Sequence, residues 1–79
     1  MDIKVLGTGC QKCKMLEKLT NKMVEELGIE ATVSKEEDMF KIMQYGVMRT
    51  PGIVINEKVV HSGSLPSRKE LQEILISNK

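Results

Sequence analysis

Cys10 and Cys13 are the two residues of this chain with the most reactive side chains, and the sequence holds no other cysteine. They lie in the segment GTGCQKCKM, where a strand-like apolar run gives way to a helical pattern. Residues three positions apart on a helix point the same way. We therefore expect the two sulfurs to act as a pair.

Three uses of such a pair can be compared. A structural disulfide between Cys10 and Cys13 would close a very short loop, whereas stapling gains most when distant segments are joined. A structural zinc site needs further ligands, and the only histidine, His61, lies in a predicted strand without a partner motif. A redox couple needs nothing more, since one thiolate attacks a partner disulfide and the other thiol resolves the mixed disulfide. We favour redox use, with a soft-metal or metalloid carrier as the alternative.

The two cysteines are predicted to differ in exposure. Cys13 lies three residues before Leu16 and so extends the apolar stripe of the helix, whereas Cys10 precedes that stripe. Unpaired backbone N–H groups and the helix dipole favour a thiolate at a helix N-terminus. Cys10 is thus the predicted attacking thiolate and Cys13 the resolving thiol.

Lysines crowd the start of the same helix, at Lys12, Lys14 and Lys18, where the helix dipole prefers acids. A helix charged against its own dipole indicates a role other than stability. The alternative is ordinary surface pairing, such as Lys14 with Glu17.

Around this motif the sequence predicts seven elements, placed by apolar periodicity, glycine stops and capping boxes. They are a strand at 2–7, a helix at 10–27, a strand at 29–33, a helix from the capping box Ser34/Glu37 to Gly46, a hairpin of IVI and VVH around Asn56, Glu57 and Lys58, and a helix after the capping box Ser67/Glu70. Glu57 falls where a tight turn prefers glycine, so a longer hairpin loop is also considered.

The order β-α-β-α-β-β-α predicts an α/β fold. A right-handed crossover makes the first two strands parallel, and the hairpin adds antiparallel strands to the same sheet. The expected result is a mixed four-stranded sheet with helices on both faces.

Length and composition limit the function classes. The 79 residues predict a single domain over 1–79, and a net charge of +1 gives no general attraction to nucleic acid or membranes. The sequence lacks a transmembrane-length apolar run and a signal-peptide pattern, and a lone C-x-x-C is typical of cytosolic proteins. We expect a cytoplasmic monomer.

Side chains outside the motif are interpreted as packing residues. Most of five methionines, at Met15, Met23, Met39, Met43 and Met48, fall on or beside apolar stripes and are predicted to fill the core. Phe40 and Tyr45 are likewise predicted to pack their helix.

Together the motifs resemble the thioredoxin family. CQKCKM is similar to its active-site run C-x-x-C-K-M, YGVMRTPGIVI to the segment that leads into its active-site proline, and EKVVHSGSLPSRKELQEIL to its last strand and helix. GTGCxKC with TPG resembles, more narrowly, the small redox-active disulfide proteins. The resemblance implies a minimal thioredoxin fold and a thiol-disulfide oxidoreductase acting on protein disulfides. It also implies a reductase or dithiol donor as partner and no bound cofactor.

The resemblance further assigns roles to residues around the cysteines. It implies that Pro51 is cis and packs beside them, that Thr50 offers its backbone to an extended partner segment, and that Gly63 lies on the partner-binding surface. The partner-binding set, written by position in this sequence, is Thr50, Pro51, Gly9, Gln11, Lys12 and Gly63.

Three departures from the family pattern lie at or before the motif. Gly9 stands where thioredoxins have Trp, and Gln11 with Lys12 where they have Gly-Pro. Lys4 occupies the place of a buried Asp that serves in proton transfer. The proton route from Cys13 therefore differs from the family's, with water alone as one candidate.

Overall fold

The computed structural model describes residues 1–9 and 11–78. The element order agrees with the predicted one. The elements are β1 (Asp2–Leu6), α1 (Gln11–Leu27), β2 (Thr32–Glu36), α2 (Met39–Gln44), β3 (Gly52–Ile55), β4 (Lys58–Ser62) and α3 (Arg68–Ser77). Within these described residues, no helix is both long and apolar enough to span a membrane.

The four strands form one mixed sheet in the order β2-β1-β3-β4. β1 runs parallel to β2 and antiparallel to β3, and β3 runs antiparallel to β4. A parallel pair requires a crossover, which α1 supplies. The predicted mixed four-stranded sheet is confirmed.

Alternate residues of the central strands enter two separate cores, one on each face of the sheet. The first core joins the sheet to α1 and α3 and contains Ile3, Val5, Leu16, Met23, Ile53, Ile55, Leu71 and Leu75. The second joins it to α2 and contains Leu6, Ile42, Val47 and Val54. Helices therefore cover both faces, as predicted.

β2 begins later than the sequence indicates, at Thr32 rather than Ile29. Its pairing with β1 sets its extent, from Asp2 opposite Thr32 to Leu6 opposite Glu36. An edge strand with one exposed face does not need an apolar run. The polar half of the segment is therefore strand, and the apolar residues before it pack beside the first core.

The capping box predicted at Ser34 and Glu37 is wrong, because Ser34 lies inside β2. The N-cap of α2 is Asp38, whose side chain accepts a hydrogen bond from the Phe40 backbone N–H at 2.9 Å. The box at Ser67 and Glu70 is confirmed, with both of its reciprocal hydrogen bonds present.

The β3–β4 hairpin has a tight two-residue turn, so the longer loop considered above is wrong. Asn56 and Glu57 both adopt positive φ, at 49° and 68°, as a type I′ turn requires. The Asn56 N–H donates to the Asp2 carbonyl at 2.8 Å, and the Asn56 Oδ1 accepts from the Asp2 N–H at 2.9 Å. The Glu57 carboxylate contacts Lys4 and Tyr45. These tertiary contacts offset the cost of a non-glycine turn.

The core prediction holds for Met23 and fails for the other four methionines. Met23 is 2% exposed, whereas Met15, Met39, Met43 and Met48 are exposed, Met48 to 91%. Phe40 is 78% exposed, while Tyr45 packs against the second core. Because α2 has six residues and buries only Ile42, its other apolar side chains remain on the surface.

Candidate functional site

Cys13 occupies the first turn of α1 and points inward. It is 5% exposed and disulfide-bonded. This agrees with the prediction that the second cysteine is the sheltered one. Cys10, the predicted attacking cysteine, lies outside the described residues, so its predicted exposure stays a prediction. Gly9 has φ +86°, and both Gln11 and Lys12 are exposed.

Gly7 is the residue that lets Cys13 sit against the sheet. A Cβ placed on Gly7 would lie 2.2 Å from Cys13 Sγ and 2.6 Å from Cys13 Cβ, closer than any side chain tolerates. The Gly7 N–H donates to the Glu36 carbonyl at 2.9 Å, which holds the end of β1 beside β2. The sequence marked Gly7 only as the end of a strand, and no local pattern signals the approach of Cys13.

The Thr50–Pro51 peptide bond is cis, as the resemblance implied. Pro51 is buried and Thr50 is half-buried. The antiparallel register pairs Leu6 with Gly52. Gly7, directly after β1, and Pro51, directly before β3, therefore lie at the same end of the two strands. Pro51 therefore lies at the same edge of the sheet as the Gly7–Cys13 contact.

Gly63 joins this edge through the backbone. Its N–H donates to the Pro51 carbonyl at 3.0 Å, and its φ is +88°. An added Cβ would lie 3.8 Å from Arg49 Cβ, which is ordinary contact. Glycine is favoured at this position because φ is positive, and not because neighbouring residues of this chain leave too little space for a side chain. The fold brings Gly63, Pro51 and Cys13 to one edge although they are far apart in sequence.

The lysines at the start of α1 have no ion-pair partners among residues 1–9 and 11–78. Glu17, the sequence partner considered for Lys14, lies 3.9 Å from Lys35 Nζ. Lys12, Lys14 and Lys18 are all exposed. The described part of the first turn contains no acid. Positive charge near the helix N-terminus is therefore not neutralised by ion pairing with described acids.

Lys4 points away from Cys13. Residues alternate faces along a strand, and in β1 Ile3 and Val5 face the first core while Leu6 faces the second. Lys4 Nζ donates to Tyr45 Oη and Glu57 Oε1, each at 3.2 Å. These hydrogen bonds and the Glu57 charge raise the pKa of the Lys4 ammonium. Lys4 therefore ties β1 to α2 and the hairpin, and does not reach the sulfur.

No group of three or more His, Cys, Asp and Glu side chains suited to a metal ion occurs in the part of the chain that the structure describes. The carrier alternative, which depends on Cys10, is not tested by this observation.

The regions that match known proteins include the whole candidate site. The family described as "Thioredoxin domain" matches residues 1–76. A thioredoxin of Methanothermobacter thermautotrophicus is 37% identical over 75 residues, covering 95% of this chain and 97% of the relative. A thioredoxin of Methanocaldococcus jannaschii is 40% identical over 75 residues, covering 95% of this chain and 86% of the relative.

A solved structure shares the fold. It is titled "Structure of a malarial protein" and superposes with a TM-score of 0.68. The match covers 98% of this chain and 94% of that chain at 15% sequence identity. At that identity the similarity concerns the fold alone.

Proposed function

Because the chain belongs to the thioredoxin domain family, we propose that it is a thiol-disulfide oxidoreductase that exchanges a dithiol for a disulfide with protein partners through Cys10 and Cys13. The observation that carries the proposal is the state of Cys13, which is disulfide-bonded and packed against Gly7 at the start of a helix. The sequence offers Cys10 as the only other cysteine to pair with it.

In the reductive direction, the Cys10 thiolate attacks a partner disulfide and forms a mixed disulfide. Cys13 then attacks the Cys10 sulfur, which releases the partner's second thiol and leaves the disulfide in this protein. The lysines at the start of α1, which lack ion-pair partners among the described residues, support a thiolate at the helix start, because nearby positive charge favours the ionised sulfur. Lys12, inside the motif, is the lysine proposed to tune this charge.

The partner segment is proposed to dock at the edge formed by Thr50, Pro51 and Gly63. Thr50 is half-buried, and an extended segment could form backbone hydrogen bonds with it in the manner of an added strand. Gly9, Gln11 and Lys12, which are exposed, are proposed to complete the docking surface. No bound cofactor enters the scheme, since the electrons come from a reductase or a dithiol donor. We propose a cytoplasmic setting, where such donors keep thiols reduced.

The test is reduction of insulin disulfides with a dithiol as the electron donor. The wild-type protein should accelerate insulin precipitation, and Cys10→Ser should abolish the acceleration. Cys13→Ser should instead accumulate a mixed disulfide, because the attack can occur but the resolution cannot. Non-reducing electrophoresis and intact-mass measurement would detect that adduct.

The two serine variants serve as controls for each other, since both remove one sulfur and retain a similar volume. Turnover by Cys10→Ser, or an adduct on Cys10→Ser and none on Cys13→Ser, would contradict the assigned roles. Absence of turnover by the wild-type protein with any protein disulfide would contradict the function itself.

A further inference from the structure

A small cavity lies beside Cys13, between the first turns of α1 and the end of β2. Its volume is about 30 Å³, enough for about one or two water molecules. Four charged side chains line it: Lys14 and Glu17 from α1, Lys35 from β2, and Glu37 from the connection after β2. The cavity thus connects a buried sulfur to a cluster of ionisable groups.

Resolution of a mixed disulfide requires the Cys13 thiol to lose its proton. A thiolate in a buried position loses hydration, so deprotonation there is costly without a nearby acceptor. Lys4, at the family's acid position, lies on the other face of the sheet and contacts Tyr45 and Glu57. The residue at this position therefore does not accept the proton, which leaves water or a group on another element.

Resting on the proposed function, we propose that the Glu17 carboxylate accepts the Cys13 proton through water in this cavity. Glu17 follows Cys13 by four residues on α1, so the two side chains lie on the same helical face. Lys35 Nζ lies 3.9 Å from Glu17 Oε2. This is an ion-pair distance that is too long for a direct hydrogen bond. Glu17 therefore keeps oxygen lone pairs available to water.

Glu37 is the competing carboxylate at the same cavity. It lies 3.3 Å from Lys35 Nζ, and its side chain is 53% exposed, against 37% for Glu17. Glu37 also belongs to the connection between β2 and α2, whereas Glu17 is fixed on the helix that carries Cys13. Glu17 is thus the better shielded carboxylate and lies on the helix that carries Cys13, which favours it as the group that exchanges a proton with Cys13.

The S–H bond of Cys13 breaks and its proton passes through water to Glu17. The Cys13 thiolate then bonds to the Cys10 sulfur, and the bond between Cys10 and the partner sulfur breaks, which releases the partner thiolate. The two protein thiols are oxidised to a disulfide, and the partner disulfide gains two electrons. Glu17 returns the proton to solvent or to the departing thiolate.

The test follows the reduced protein after rapid mixing with excess of an aromatic disulfide whose released thiol is coloured. The first release reports attack by Cys10, and the second reports resolution by Cys13. Glu17→Gln should slow the second release by about a hundredfold near neutral pH, the low end for loss of a general base. The first release should stay near the wild-type rate. At alkaline pH the two proteins should converge, because hydroxide then removes the proton.

Glu37→Gln is the matched control, since it removes the other carboxylate that contacts Lys35. It should keep the wild-type second phase, and Glu17→Asp should recover most of the rate lost in Glu17→Gln. A wild-type second phase in Glu17→Gln at every pH overturns the inference, as does an equal loss in Glu37→Gln. Either result leaves the proposed function standing. A wild-type protein that releases no coloured thiol overturns both.

Discussion

The contact between Gly7 and Cys13 controls the site at the scale of single residues. The sulfur occupies the space that a Gly7 side chain would fill, so strand end and helix start can approach closely. Gly7 is needed because a side chain there would collide with Cys13. Gly9 and Gly63 are favoured because their φ values are positive. Two physical reasons for glycine, space and conformation, thus operate within one small site.

Gly7→Ala should destabilise the protein by about 1–3 kcal/mol, the range for overpacking a well-packed position. Its φ lies outside the left-handed region, so the cost comes from the clash with Cys13 and not from backbone strain. Urea unfolding of Gly7→Ala and the wild-type protein measures the difference.

Cys13→Ala supplies the control background for this substitution, because alanine removes the nearer of the two clashing atoms. Gly7→Ala should cost less there than in the wild-type protein. An equal cost in both backgrounds would show that the sulfur is not what Gly7 accommodates.

At the scale of elements, pairing of β2 with β1 decides where the strand ends and α2 begins. The pairing carries the strand through Ser34 to Glu36, and Asp38 then caps α2. The same register places Lys35 over the carboxylates of Glu17 and Glu37. Strand register, a tertiary property, therefore also builds the charged cluster beside Cys13.

Asp38→Ala should lower the free energy of unfolding by about 1 kcal/mol, because it removes the acceptor for the Phe40 N–H. Ser34→Ala should change it by less than about 0.5 kcal/mol, as is usual for an exposed surface position. Chemical denaturation of both variants measures the two effects. A larger loss of unfolding free energy in Ser34→Ala than in Asp38→Ala would indicate that Ser34 is the N-cap.

At the scale of the whole molecule, the sheet separates two cores of unequal size. The larger one fixes α1, and with it Cys13, while the smaller one fixes α2 and the segment that leads to Thr50 and Pro51. The site lies at the edge where both parts meet. Phe40 of the short α2 and Met48 in the segment after it remain exposed.

Met23→Ala should cost about 2–5 kcal/mol, as expected for a large side chain removed from a core. The free energy of unfolding of Met48→Ala should stay within about 0.5 kcal/mol of the wild-type value. Thermal and urea unfolding of this pair compares a buried methionine with an exposed one. Similar costs for both would contradict the division between core and surface described above.

The sequence by itself determined the element order, the mixed sheet, the Ser67 cap and the sheltered position of Cys13, because each depends on local periodicity or capping. It did not locate β2, the Asp38 cap or the exposed methionines, since these depend on which surfaces remain after strands pair and cores close. The close approach of Cys13 to Gly7 and the Glu17–Lys35–Glu37 cluster likewise join residues on different elements. Only the tertiary structure decides such contacts, because no local pattern encodes the distance between two elements.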